Sequence, residues 1–259
     1  MLSHILVKVK KIIDLLGYKI RLARFRSMCR VVFNRFKVTL IQYSTGEVNK
    51  NELKEILNAK PVIVEVGAHN GSDTVQFALI FPEATIYAFE AFPINFYQLL
   101  KNCQDFKNII PVSAALSNYN GVSIFHQSSG GSDGSGSILN PTGHLEKFPT
   151  VIFRKEDKIQ VPTITLDTYF NAKSISRVDL IWIDVQGAEK LVFEGGKELL
   201  KVTCYVYLEV SAVSYYEGAL TYKDMELYMA KLGFKVIQEF LPPEYNGDGN
   251  VLFKNLLFP

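Results

Sequence analysis

The stretch Val62-Ile63-Val64-Glu65-Val66-Gly67-Ala68-His69-Asn70-Gly71 decides how this chain of 259 residues is read. Residues 62–66 are a short, mostly β-branched apolar run, the kind a strand buried on both faces needs. The run enters a glycine turn directly. Ser72 can then cap a helix through about residue 81, with Asp73 favourably placed in its first turn. Gly67 lets the backbone bend sharply, and Gly71 lets a ligand approach the helix N-terminus, where free N–H groups face it. Glu90 closes the next expected strand, residues 85–89, 23 residues after Gly67. An acidic side chain there can accept both ribose hydroxyls of a nucleoside cofactor. Strand, glycine turn, helix, strand and acid in this order point to such a site.

Outward from this unit the pattern stays α/β. Residues 47–58 read as a polar helix with Leu53, Ile56 and Leu57 on one face, stopped by Pro61. A helix over 94–103 and a strand over 109–112 continue the alternation, which predicts parallel pairing through right-handed crossovers. Residues 113–177 form a loop-rich insertion, with strands over 121–125 and 161–165. Inside it, residues 128–137 consist only of Ser, Gly and one Asp. Such a stretch buries too little apolar area to offset its ordering entropy, so it is expected to move when unliganded, either as a surface loop or as a lid over substrate. Regular pattern resumes with a strand over 178–183 ending in Asp184, a helix from Gly187, a strand over 204–210 and an amphipathic helix over 222–232. That last helix places Met225, Tyr228, Met229 and Leu232 inward and is closed by Gly233. Strands over 234–240 and 250–254 form a closing hairpin. The expectation is a Rossmann-like seven-stranded sheet, mostly parallel, with helices on both faces.

Composition narrows the function. The chain is 48% hydrophobic and 21% charged, which excludes global disorder, collagen and coiled coil. No apolar run approaches the roughly 20 residues of a spanning helix. Cys29, Cys103 and Cys204 are scattered, so neither a disulfide framework nor a zinc site is expected and a reducing, cytoplasmic setting fits best. Residues 1–42 carry ten basic side chains against Asp14 alone, a basic arm of +9 before a body of −7. Ile5, Val9, Ile12, Ile13, Leu16 and Ile20 fall at helical spacing within it. The arm of residues 1–46 is therefore read as amphipathic helix, serving either as an accessory packed on the main domain or a partner subunit, or as a contact for an anionic membrane surface. The acidic body, residues 47–259, opposes broad phosphate-backbone contact, so no nucleic acid is expected.

The cofactor follows from the turn. A dinucleotide fingerprint needs a second glycine two residues after the first, and His69 stands there. Glu65, at the strand end, can meet an ammonium group. That suits S-adenosylmethionine, which has no pyrophosphate to cradle. Gly67, Glu90, Ala114 and Asp184 each follow an expected strand, so they converge on one crevice beyond the strands' carboxyl ends. The cofactor-binding candidates are Glu65, Gly67, Ala68, Asn70, Gly71, Thr74, Glu90, Ala91, Ala114, Ala115 and Asp184.

With these residues in view, the sequence resembles the FkbM family of S-adenosylmethionine-dependent methyltransferases over roughly residues 60–255. The matching segments are residues 64–71, Tyr87-Ala88-Phe89-Glu90-Ala91-Phe92-Pro93, Ala114-Ala115-Leu116-Ser117, Leu166-Asp167-Thr168-Tyr169 and Asp179-Leu180-Ile181-Trp182-Ile183-Asp184-Val185-Gln186-Gly187-Ala188-Glu189. The family commonly has a lysine where Trp182 stands and an acidic residue where Gln186 stands. The resemblance implies methyl transfer to an oxygen, often on a sugar or a glycosylated metabolite, so a small-molecule or glycan substrate.

A sulfonium methyl is already electrophilic, so an enzyme mainly aligns the acceptor oxygen and helps remove its proton. Asp184 is the catalytic candidate, as holder or base of the acceptor hydroxyl. Its alternatives are to accept N–H bonds from the following helix or to bind the cofactor amine. His69 is expected to shape its turn, and His126 and His144 are expected to be exposed loop residues. Glu189 and Glu209 could join Asp184 around a divalent cation, although nothing in the spacing requires a metal. Tyr205, Tyr207, Tyr215, Tyr216 and Tyr222 could line a carbohydrate groove, with core packing the alternative for at least two of them. The competing functions are a nicotinamide-dependent oxidoreductase or epimerase, and a binding module on a decayed cofactor fold.

Overall fold

The pleat of the first strand, β1 (Val62–Val66), divides the core in two. Val64 and Val66 belong to one apolar cluster and Ile63 to another, as alternate side chains of a strand must. The computed structural model describes residues 48–173, 175–241 and 248–258. The basic arm lies outside them, as does most of the expected loop between the last two strands.

With strands numbered along the chain, β1 joins β2 (Thr85–Phe89), β3 (Ile109–Val112), β9 (Val178–Ile183), β10 (Thr203–Val210), β11 (Phe234–Phe240) and β12 (Gly249–Asn255) in one sheet. Its order is β11-β12-β10-β9-β1-β2-β3. The pairs β1–β2, β1–β9, β2–β3 and β9–β10 are parallel, and β12 runs antiparallel to both β10 and β11. The mostly parallel seven-stranded sheet with a C-terminal hairpin expected from the sequence is the one that forms. Strand order reverses between β1 and β9, which is where an open α/β sheet leaves a crevice.

Helices α1 (Ser72–Ile80) and α2 (Pro93–Cys103) put Phe77, Leu99 and Cys103 into the cluster that holds Ile63, Leu180 and Trp182. Beyond the one-turn α3 (His144–Lys147), the other cluster receives α4 (Leu166–Asn171), α5 (Glu189–Glu194), α6 (Lys197–Lys201) and α7 (Tyr222–Lys231). Met225 and Met229 of α7 are buried there, with Tyr228 and Leu232 packed against them. The insertion folds as a small sheet of β4 (Ala115–Leu116), β8 (Lys158–Ile164) and β5 (Gly121–His126), and a ribbon of β6 (Ser129–Gly130) with β7 (Val151–Ile152).

Three local expectations are corrected. The helix over 47–58 is only a 3-10 turn at Glu52–Glu55. The Asn49 side chain accepts the Asn51 N–H, and Asn58 is diverted to the Asp179 carboxylate at 2.8 Å; such side-chain bonds compete with helix. Ser72 does not cap α1. It is the first helical residue, Gly71 is the left-handed N-cap, and the Asn70 side chain accepts the Ser72 N–H at 3.1 Å. The helix after Asp184 begins at Glu189 instead of Gly187, because Gln186 and Gly187 are both left-handed, with φ of 54° and 92°.

Candidate active site

The site starts from two turns that leave the sheet side by side. Val66 lies opposite Ile183, and the Asp184 N–H donates to the Val66 carbonyl at 2.9 Å. Gly67, at φ 85°, presses its backbone onto the second turn: a Cβ there would stand 1.8 Å from the Asp184 carbonyl oxygen. Only glycine allows this approach. Each turn also holds a non-glycine residue in the left-handed region, His69 at φ 50° and Gln186 at φ 54°. Strain of this kind costs about 1–3 kcal/mol per residue and collects at functional sites.

Between these turns and the ends of β2 and β4 lies a crevice of about 280 Å³. Its wall includes Glu65, Gly67, Ala68, Glu90, Ala91, Ala114, Ala115 and Asp184, eight of the eleven cofactor candidates. Glu90 is buried where two loops meet. Its Oε2 accepts the His69 N–H and its Oε1 accepts the Phe92 N–H, both at 2.7 Å. Burial pushes its pKa up to about 7, with the backbone donors opposing. A carboxylate offers about four acceptor positions, so Glu90 keeps capacity for a pair of hydroxyls. A carboxyl with spare lone pairs, beside a glycine and four alanines that leave the space open, fits the adenosine half of S-adenosylmethionine. Glu65 accepts the Thr74 hydroxyl, and burial pushes it up to about 8. It is therefore largely neutral at pH 7, and an arriving ammonium would favour its charged form.

Asn70, Gly71 and Thr74 are placed behind the crevice wall. A Cβ on Gly71 would meet Leu99 Cδ1 at 2.6 Å and Cys103 Sγ at 3.2 Å, so this glycine serves α1–α2 packing instead of ligand approach. The Asn70 carbonyl accepts the Asn102 side chain. Thr74 is fully buried beneath Glu65. The wall also contains residues the sequence reading passed over: Asp73, Phe125, Asp133, Gly134 and Gly136. Three of these belong to the Ser/Gly segment, whose composition was its only signal.

A second chamber of about 590 Å³ adjoins the first, and Asp184 and Gly134 line both. The Asp184 carboxylate opens to solvent within the chambers, yet their walls strip most of its hydration, which raises its pKa; the Gln186 amide opposes that rise. Gln186 Nε2 donates to Asp184 Oδ1 at 2.7 Å and to Glu209 Oε2 at 2.8 Å. Glu209, at the end of β10, is raised well above the usual carboxylate range, by desolvation first and then by Asp184. Gln186 thus holds the two carboxylates together. Glu189 accepts the Gly187 N–H at the start of its own helix. Among the described residues, no group of three or more His, Cys, Asp or Glu is placed to hold a metal ion.

The Ser/Gly segment lies across both chambers. Ser128, Ser135 and Ser137 are buried, Tyr216 Oη donates to the Ser135 carbonyl at 2.7 Å, and Ser137 Oγ donates to the Val185 carbonyl at 3.4 Å. His144 corrects an expectation. It is 3% exposed and packed among Phe148, Phe153, Tyr215 and Tyr216, with its Nδ1 lacking a hydrogen-bond partner. His126 is half-buried at the end of β5, its backbone paired with Ser137. Of the five tyrosines, only Tyr215 and Tyr216 line the second chamber. Tyr207 stacks on Trp182 in the core at 3.8 Å, while Tyr205 and Tyr222 pack beside the two clusters. Over Trp182 stands the Lys50 ammonium, 4.5 Å from the ring and paired with Asp73 at 3.0 Å.

The Methyltransferase FkbM domain matches residues 65–236, from the strand that opens the crevice to the edge of the sheet. The chain belongs to the FkbM methyltransferase family. It is 33% identical over 204 residues to the 2-O-methyltransferase NoeI of Sinorhizobium fredii (strain NBRC 101917 / NGR234), covering 77% of this chain and 78% of that protein. Among solved structures it is similar to Aeropyrum pernix fibrillarin with natively bound S-adenosyl-L-methionine, at 14% identity and a TM-score of 0.45, covering 76% of this chain and 68% of that one. An rRNA methylase from Streptococcus thermophilus gives 12% identity and a TM-score of 0.47, covering 84% and 99%. Family membership makes this methyltransferase S-adenosylmethionine-dependent, and an O-methyltransferase.

Proposed function

We propose that this FkbM O-methyltransferase acts on a hydroxyl of a sugar, either within a glycan or on a glycosylated metabolite. The observation that carries the reading is the position of Asp184, on the wall of both chambers. The smaller chamber, with Glu90 and the glycine turn, suits the methyl donor. The larger one suits the acceptor, since it sets Phe148, Tyr215 and Tyr216 beside carboxylates and the Gln186 amide. Aromatic faces pack on the C–H faces of a sugar, while polar groups fix its hydroxyls.

When bound, S-adenosylmethionine supplies an electrophilic methyl group whose carbon–sulfur bond breaks as the acceptor oxygen bonds to carbon. The chain's own work is then to hold that oxygen and take its proton. Two carboxylates joined through one amide, both raised by desolvation, set a basic oxygen beside the acceptor space. Asp184 holds the acceptor hydroxyl and accepts its proton, and Gln186 fixes Asp184 and Glu209 side by side. The Ser/Gly segment acts as the lid that excludes water, through Tyr216 and Ser135. The basic arm contacts a partner protein or an anionic surface, and the setting is cytoplasmic, consistent with Cys103 and Cys204 as buried free thiols. Among the described residues no helix is long and apolar enough to cross a membrane.

Labelled methyl transfer from S-adenosylmethionine to a panel of glycosides, with non-sugar alcohols alongside, tests the assignment. Label in glycosides, lost in Asp184→Asn, supports it. Label confined to non-sugar alcohols overturns it.

A further inference from the structure

The larger chamber has a charge imbalance that bears on which sugars it can take. Among the described residues lining it, Asp184, Glu189, Glu209 and Asp248 are acidic and Lys147 is the single cation. Lys147 is already committed, bonded to Asp248 and to the Tyr215 hydroxyl, with its ammonium 5.0 Å from the Tyr215 ring centre. Asp248 is fixed in turn by the Ala212 N–H at 3.0 Å and the Tyr215 hydroxyl at 2.9 Å. His144, the other nitrogen base on the wall, has its pKa lowered by burial and is neutral at pH 7.

We propose that the acceptor chamber admits uncharged and amine-bearing sugars and turns away anionic ones, so that methylation follows glycosyl transfer and does not act on the nucleotide-linked sugar. The inference rests on the sugar reading above. An anion entering the chamber would face several acidic groups with no free cation among the described residues to compensate, in a space where repulsion is screened far less than in water. A neutral glycoside meets polar partners for its hydroxyls and aromatic faces for its ring. An ammonium group would relieve the acidic wall. Burial already pushes Asp184, Glu209 and Glu189 toward their neutral forms, the same electrostatic pressure that an anionic guest would increase. A uronate carries one charge into this wall and a sugar nucleotide carries two. The reaction that supplies the substrate is therefore a glycosyl transfer, which removes the nucleotide diphosphate before the sugar reaches this enzyme.

The test is calorimetric binding to the full chain saturated with S-adenosylhomocysteine, using matched probes for glucose, galactose and glucosamine. These are the neutral or amino p-nitrophenyl glycoside, the corresponding uronide where one exists, and the uridine diphosphate sugar. At least one neutral or amino glycoside is expected to bind tenfold or more tightly than its uronide and nucleotide counterparts, and added salt should narrow that gap by screening. Asp248→Asn keeps an oxygen acceptor for Ala212 but frees Lys147, so it should tighten uronide binding at least threefold while changing neutral binding less than that. Equal or tighter binding of uronide or nucleotide sugar by the wild-type chain would overturn the charge selection alone. Absence of binding by every sugar, with S-adenosylhomocysteine bound normally, would overturn the sugar reading and this inference with it.

Discussion

Asp184 and Glu209, at the ends of adjacent parallel strands, share one hydrogen-bond donor, the Nε2 of Gln186, at 2.7 and 2.8 Å. The amide cannot flip without loss, because its Oε1 would then face both carboxylate oxygens. One side chain in a strained backbone conformation thereby ties Asp184, on the wall of both chambers, to Glu209, on the wall of the larger one.

Turnover should depend on this pair. Asp184→Asn is expected to lower kcat by about 10²–10⁴-fold, the usual range for a lost proton acceptor, with S-adenosylhomocysteine affinity changed less than threefold. Calorimetry beside single-turnover kinetics separates the two effects.

The pH profile should respond to Gln186. Both carboxylates have pKa values above the usual range, so activity should rise with pH along a limb displaced upward from ordinary carboxylate titration. Gln186→Glu replaces the shared donor with a third acid. That variant should move the limb to still higher pH, readable in log kcat/KM against pH; an unmoved limb would remove Gln186 from the pair.

Stability should fall as pH rises, the reverse of ordinary acid denaturation. Glu65 and Glu90 have folded-state values of about 8 and about 7 against an ordinary glutamate value of 4.5. The folded chain therefore holds more protons than the unfolded chain between those limits. Their contribution is complete below about pH 4.5 and is lost as pH climbs through 7 and 8. Glu65→Gln, which can still accept the Thr74 hydroxyl, should be near neutral in stability at pH 5 and stabilising at pH 8.5, by about 1–3 kcal/mol from urea midpoints.

Two left-handed glycines should separate close approach from conformational freedom. Gly67 and Gly218 have φ of 85° and 80°, but a Cβ on Gly218 would meet nothing within 4 Å. Gly218→Ala should cost about 1–2 kcal/mol. Gly67→Ala adds a collision with the Asp184 backbone and should cost more than about 3 kcal/mol or prevent folding. Equal losses in urea unfolding would contradict the packing described for the two turns.

The sheet was legible because its evidence is local. Residues 62–66, 85–89 and 178–183 are apolar runs whose burial needs no partner to be foreseen, and each ended where expected. Glu90 was legible for the same reason, being tied to a strand end. The acceptor side was not, since Lys147, Tyr215 and Asp248 come from three distant segments that meet only after folding. His144 looked like a loop residue because nothing near it in sequence foretells the rings that enclose it. Gly71 was misread because a left-handed glycine before a helix looks alike whether a ligand or another helix lies against it. The cation over Trp182 was hidden too, as Lys50 and that ring are far apart in sequence and meet only after folding.

The most direct test of the account is a titration of S-adenosylhomocysteine into the wild-type chain and into Glu90→Gln, followed by calorimetry. The account predicts one site on the wild type and at least tenfold weaker binding by the variant, with both proteins melting within a few degrees of each other. Failure of the wild type to bind, or equal affinity in the two proteins, would contradict it.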